Sequence, residues 1–126
     1  MPENEISKHI YECAIEAHST LGGPGLLESV YEEALAWELT QRGLGVKRQM
    51  SLPIKYKDNT LASPLRIDMM VEEKVIVECK ATSEYQNIYE VQALTYLRLS
   101  GLKLALVDNF GEKLVKEGIR RVANRL

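Results

Sequence analysis

Two short stretches hold most of the side chains that could do chemistry. They are Arg66-Ile67-Asp68 and, beyond a polar turn at Glu72-Glu73-Lys74, Glu78-Cys79-Lys80. Side chains alternate along a strand, so Glu78 and Lys80 point one way and Cys79 points the other, together with Val75 and Val77. A charged Glu-x-Lys pair beside a Val-Ile-Val run is costly unless something compensates it. An ion pair between the two is one compensation; a metal ion next to the carboxylate is another. In a hairpin centred near Glu73, Asp68 and Glu78 fall on neighbouring strands and can converge. Two converging carboxylates plus a backbone carbonyl, placed at Cys79, make a hard oxygen site suited to Mg2+ or Mn2+. Lys80 would then hold an attacking water or stabilise charge on a phosphate. Spacing alone leaves the surface ion pair open as the alternative, because Asp…Glu-x-Lys arises by chance in many chains.

Two helical pairs add to this set. Gly25-Leu26-Leu27-Glu28-Ser29-Val30-Tyr31 places Glu28 and Tyr31 three residues apart, on one helical face. Such a pair is either a buried structural hydrogen bond or part of a site. Gln92 and Tyr96 lie four apart, with Tyr85 and Tyr89 continuing the stripe. That stripe is either a face packed on a sheet or a cleft wall that meets substrate phosphate or base.

The elements that must position these residues follow from periodicity and breakers. Ile6, Ile10, Cys13 or Ala14, and Ala17 predict a first helix over Ile6 to Ser19, stopped by Leu21-Gly22-Gly23-Pro24-Gly25. A second helix is expected from Leu26 to Arg42, with Leu27, Val30, Tyr31, Ala34 and Leu35 as its apolar face and Gly43 as its stop. Val46 to Tyr56, Leu61 to Val71 and Val75 to Lys80 read as three strands of an antiparallel meander, the first with an edge signal at Pro53. Ser83 with Gln86 fits a capping box for a third helix running to Ser100. Leu104 to Val107 reads as a buried strand. Glu117 to Val122 fits either a last strand or a helix. The order predicts an α/β fold in which helices flank a mixed central β-sheet, the meander plus a further strand.

Length and composition narrow the class. The 126 residues suit one domain over 1–126 with a real core, and 45% hydrophobic with 27% charged residues are ordinary globular values. No apolar stretch approaches a membrane span and no secretory leader is read, so no membrane partner and a cytoplasmic location are expected. Cys13 and Cys79 lack a CxxC spacing and read as buried thiols. The net charge of −2 argues against strong non-specific nucleic-acid binding. The charge is uneven, however: residues 1–40 hold eight acidic residues and one basic, and residues 41–126 hold ten acidic and fifteen basic.

Taken together, Gly25-x-x-Glu28-x-x-Tyr31, Arg66-x-Asp68, Glu78-x-Lys80 and Gln92-x-x-x-Tyr96 closely resemble the GxxExxY family, which is placed in the PD-(D/E)XK nuclease superfamily. The resemblance runs from about His18 through Asn109-Phe110 and Gly118-Ile119-Arg120-Arg121. It implies a restriction-endonuclease-like core and a metal-dependent nuclease. In such an enzyme a water activated by Mg2+ or Mn2+ attacks a nucleic-acid phosphodiester, DNA ahead of RNA. By that resemblance Asp68 and Glu78 match the metal-binding acids and Lys80 the catalytic lysine. Glu28 matches a helix-borne acid directed at the metal, and Gln92 with Tyr96 the glutamine–tyrosine motif of RecB-like exonucleases. His18 sits where some branches place a further ligand. The chain departs from the superfamily's name in having Ile67, not proline, before Asp68. Two other readings stand beside the nuclease. One is a catalytically inactive nucleic-acid-binding module using Lys113, Lys116, Arg120, Arg121 and Arg125. The other is an oligomer, such as a homodimer, joined through Trp37, Tyr85 and Tyr89.

Overall fold

The computed structural model describes residues 1–126. Helix α1 spans Glu3–Thr20 and buries Ile6, Ile10, Cys13, Ala14 and Ala17 along one stripe, with Glu3 and Glu5 at its positive N-terminal end. Gly22 and Gly23 then take φ of 91° and 96°, left-handed backbone that ends the helix and reverses the chain. The Tyr31 hydroxyl ties this loop down. It donates to the Gly23 carbonyl at 2.6 Å and accepts the Leu26 amide at 3.1 Å.

Helix α2 spans Glu28–Gln41. It closes in a Schellman arrangement, in which the Gly43 amide donates to Thr40 and the Leu44 amide to Leu39, with Gly43 at φ 84°. The helix was expected to begin at Leu26 with Leu27 and Val30 on its inner face. Instead Leu27 precedes the first turn and is 76% exposed, and Val30 is 39% exposed. The stripe read from Leu27 is therefore out of phase. The buried face is Tyr31, Glu32, Leu35, Ala36 and Leu39.

Seven strands follow: β1 Val46–Leu52, β2 Lys55–Tyr56, β3 Asn59–Thr60, β4 Leu65–Val71, β5 Val75–Lys80, β6 Leu104–Asn109 and β7 Ile119–Ala123. The expected first long strand is broken after Leu52. Pro53 ends it, and Lys57 and Asp58, both with positive φ, turn a separate β2–β3 hairpin. The remaining five form one sheet in the order β1-β4-β5-β6-β7, with β5 and β6 parallel and the other neighbours antiparallel. The meander of β1, β4 and β5 is as the sequence predicts. The ambiguous tail is a strand, β7, and β6 runs two residues further than expected.

A parallel β5–β6 pair needs a crossover, which α3 (Ile88–Ser100) supplies. The helix does not start at Ser83. The Thr82 hydroxyl forms a local turn with Glu84 instead, and Asn109 holds the Thr82 amide and carbonyl at 3.0 Å each. Gly111 packs so closely on Thr82 that a Cβ there would lie 2.2 Å from its carbonyl oxygen. The chain leaving β5 is thus pinned before α3 can begin.

Helices α1 and α2 cover one side of the sheet over Met69, Val71, Val75, Val77, Cys79, Leu104 and Leu106. Helix α3 covers the other over Leu65, Ile67, Ile76, Ala105 and Val107. Strands β5 and β6 are therefore covered on both sides and read as near-continuous apolar runs. This is an α/β arrangement of the restriction-endonuclease-like kind, a mixed sheet flanked by helices. No helix is long and apolar enough to cross a membrane.

Val77→Ala removes two buried methyl groups and is expected to cost about 1–4 kcal/mol in denaturant unfolding. Leu27→Ala, on an exposed side chain, should stay within about 0.5 kcal/mol. Equal losses would contradict this assignment of faces.

Candidate active site

The β4–β5 ladder pairs Val71 with Val75, Met70 with Ile76 and Met69 with Val77, and there it stops. The next rung would set Asp68 opposite Glu78. Instead one Asp68 carboxylate oxygen accepts the Cys79 amide at 2.9 Å. The side chain of Asp68 thus takes the place of a backbone carbonyl, and the two strands part at the acid pair. On the other edge of β4 the β1 ladder also misses a step, because Gln49, opposite Asp68, is unpaired and has φ of 50°.

Glu78 is 6% exposed, and its Oε1 has no hydrogen-bond partner. Burial, then the Asp68 carboxylate beside it, push the Glu78 carboxyl up to about 9, while Lys80 pulls the other way. At neutral pH the Glu78 carboxyl therefore keeps its proton. The Lys80 ammonium lies 4.8 Å from the centre of the Tyr89 ring, a cation–π contact on the α3 side. Cys79 faces the opposite way into the core, as alternation predicts, and burial holds its thiol well above the usual range. Cys79 therefore offers backbone, not thiolate, to a site.

Glu28 is the first residue of α2 and is exposed. Partial burial raises its pKa, Lys80 opposes the shift, and Asp68 and Glu32 add to it. Glu28 therefore lies within electrostatic reach of both strand residues. No three His, Cys, Asp or Glu side chains come together as a metal-holding group, so the structure joins Asp68 and Glu78 as a pair, with Glu28 further out. Tyr96, half-buried on α3, borders the pair: its hydroxyl is raised by burial and then by Glu78 and Asp68. Gln92 is exposed one turn earlier on α3.

Other expected residues fall elsewhere. His18 is buried between Tyr31 and Phe110, and its Nε2 bonds the Phe110 carbonyl at 3.0 Å, a packing role. Tyr31 stacks on Phe110 at 4.8 Å and, with the loop bonds above, is structural. The basic residues of the tail do not form one patch. Lys113 and Lys116 line a concavity of about 510 Å³ with His18 and Ser19. Arg120 lies over the Tyr85 ring on the α3 side, Arg121 bonds Asn4 of α1, and Arg125 lines a third place with Arg98 and Lys103.

Sequence reasoning missed two buried acids. Glu32 is 5% exposed, and its carboxylate accepts bonds from Arg48 and Gln49 of β1. Its place in the stripe with Leu35, Ala36 and Leu39 was the available signal. Asp108, on β6 beside Cys79, is fully buried with neither oxygen partnered, and burial raises its carboxyl to about 7. Nothing local in an apolar strand marks it.

The donor set fits a divalent cation. Paired carboxyls, one oxygen unpartnered, and a ladder opened beside them suit a hard oxygen-seeking ion. The family model of the PD-(D/E)XK nuclease superfamily matches residues 4–122, nearly the whole chain, and the protein belongs to that superfamily. Neither a curated protein nor a solved structure matches the chain.

The raised Glu78 carboxyl sets a sign for stability against pH. The native state holds a proton that the unfolded chain releases near 4.5, so this contribution is complete below that and is lost as pH rises toward about 9. Asp108 adds a fall of the same sign between 3.8 and about 7. In metal-free buffer the melting temperature should therefore drop with rising pH. Glu78→Gln should flatten the drop from about pH 4.5 to about 9 and remove it above pH 7, whereas Asp108→Asn should flatten only the part below pH 7. Parallel melting curves for wild type and Glu78→Gln would contradict the burial of this proton.

Proposed function

We propose that the protein is a metal-dependent nuclease of the GxxExxY branch, a single domain acting in the cytoplasm on nucleic acid, DNA ahead of RNA. The observation that carries this reading is the pairing of Asp68 with a buried Glu78 whose Oε1 has no partner, beside the Lys80 ammonium. Asp68 and Glu78 would hold Mg2+ or Mn2+, with the Cys79 backbone beside them and Glu28 acting from the start of α2. The ion, when bound, supplies the Lewis acidity that polarises a phosphodiester and eases ionisation of a water.

The chain's own residues do the rest. To hold the ion Glu78 would have to release its proton, so metal affinity is expected to rise with pH. Lys80 sets a positive charge where a phosphate gathers negative charge in the transition state. Tyr96 and the exposed Gln92 form the wall on the α3 side, within reach of a bound strand. Both cysteines are free and buried, which accords with a reducing compartment.

The test incubates the protein with end-labelled single- and double-stranded DNA and RNA, with Mg2+ or Mn2+. Cleavage of at least one substrate is expected. Asp68→Asn and Glu78→Gln should abolish it, and Lys80→Ala should slow it by about 100-fold or more. No cleavage and no metal binding by the wild type would overturn the reading. Nucleic-acid binding that survives Glu78→Ala without any cleavage would favour an inactive binding module on the same fold.

A further inference from the structure

The β1–β4 ladder is regular except at one step. Arg48 pairs with Met69 and Met50 with Ile67, but Gln49 and Asp68 between them do not pair. Gln49 adopts φ of 50°, a left-handed conformation that a glutamine rarely occupies. Alternation along β4 slips at the same place. Leu65 and Ile67 pack on the α3 side, whereas Met69 and Val71 pack under α1 and α2. Residues two apart should share a side, so the strand turns over at Asp68. That turn frees the Asp68 side chain to take the Cys79 amide.

Something must hold β1 open against the regular rung, and one side chain meets it. Glu32 Oε1 accepts the Gln49 amide Nε2 at 2.8 Å, and its Oε2 accepts Arg48 Nε at 3.0 Å with a second Arg48 nitrogen at 2.9 Å. Two consecutive residues at the kink thus end on one buried carboxylate of α2. Only a carboxylate can accept from all of them as they stand; an amide would force the Gln49 amide to flip and would remove the negative charge that faces the Arg48 guanidinium.

We propose that Glu32 is a positioning residue: by gripping Arg48 and Gln49 it keeps the β1–β4 ladder open at one step, so that Asp68 can reach the Cys79 amide and stand beside Glu78. The metal-binding purpose of that pair rests on the nuclease reading, but the open step does not. The hydrogen bonds of the Glu32 carboxylate go to Arg48 and Gln49, not to Asp68. Its effect on the site passes through two residues of β1.

The experiment compares wild type, Glu32→Gln, the swap Glu32→Gln with Gln49→Glu, and Glu73→Gln. The last removes an exposed ion pair to Lys47 on the same strand and controls for general loosening of β1. Three quantities are read: Mn2+ affinity by calorimetry, hydrogen exchange of the Cys79 amide, and melting temperature. Glu32→Gln should weaken Mn2+ binding by about 10-fold or more, the usual effect of losing a supporting residue, and should speed Cys79 exchange. The swap restores one carboxylate facing one amide at the kink, so it should recover both. Glu73→Gln should leave both unchanged. Should Glu32→Gln not fold, Gln49→Ala is the milder variant: it leaves the backbone conformation as strained as before, deletes one bond of the grip, and should move both readouts the same way. Wild-type Mn2+ affinity and Cys79 protection in Glu32→Gln would overturn the proposal, as would losses that the swap fails to recover. A wild type that binds no Mn2+ would sink the nuclease reading instead, and Cys79 exchange would still decide the role of Glu32.

Discussion

Two carboxyl groups on adjacent strands repel once both are charged, and the sheet nevertheless holds Asp68 and Glu78 together. The contact that makes this tolerable is the Asp68 carboxylate on the Cys79 amide. It satisfies one acid with a backbone donor and stops the β4–β5 ladder one rung short. The second acid is left buried, protonated and short of a partner. A buried polar atom without a partner is unfavourable, and such sites persist where function requires them. A divalent cation would resolve both problems by neutralising the repulsion and filling the empty coordination.

Most of the fold serves to make this contact rigid. The central strands β5 and β6 are covered on both sides, so Glu78 emerges from a strand with almost no freedom. Asn109 and Gly111 pin the chain just after Lys80, which fixes where α3 begins and where Tyr89 meets the lysine. Helix α2 carries Glu28 at its first turn and Glu32 one turn later. One helix therefore sets an acid near the strand pair and grips the strand that flanks it. The Tyr31 hydroxyl locks the glycine-rich loop that starts this helix, which ties the Gly25-x-x-Glu28-x-x-Tyr31 motif to the placing of Glu28.

The part of the site carried by a single strand was legible in the sequence. Period-two alternation sufficed to send Glu78 and Lys80 one way and Cys79 into the core, and a short turn at Glu72 and Glu73 brought Asp68 alongside. The meander and the helix–helix–sheet order were legible for the same reason, since they follow from local pattern. What escaped depends on contacts between distant segments. Ser83 and Gln86 look like a cap, but Asn109 holds the preceding Thr82 in another turn. Leu27 looks like the start of an apolar stripe, but the helix begins one residue later. Glu32 reads as one more helix acid beside Glu33 until β1 is seen to end on it. Gln49 carries no sign that it would take a left-handed conformation.

The central claim is that the Asp68–Glu78 pair is built around a cation. A crystal grown with Mn2+ and read by anomalous scattering tests it most directly. The account predicts an ion touching both carboxyl groups, with the Lys80 ammonium on the same side of the sheet. An Mn2+ ion bound elsewhere, with none touching Asp68 or Glu78, would contradict it.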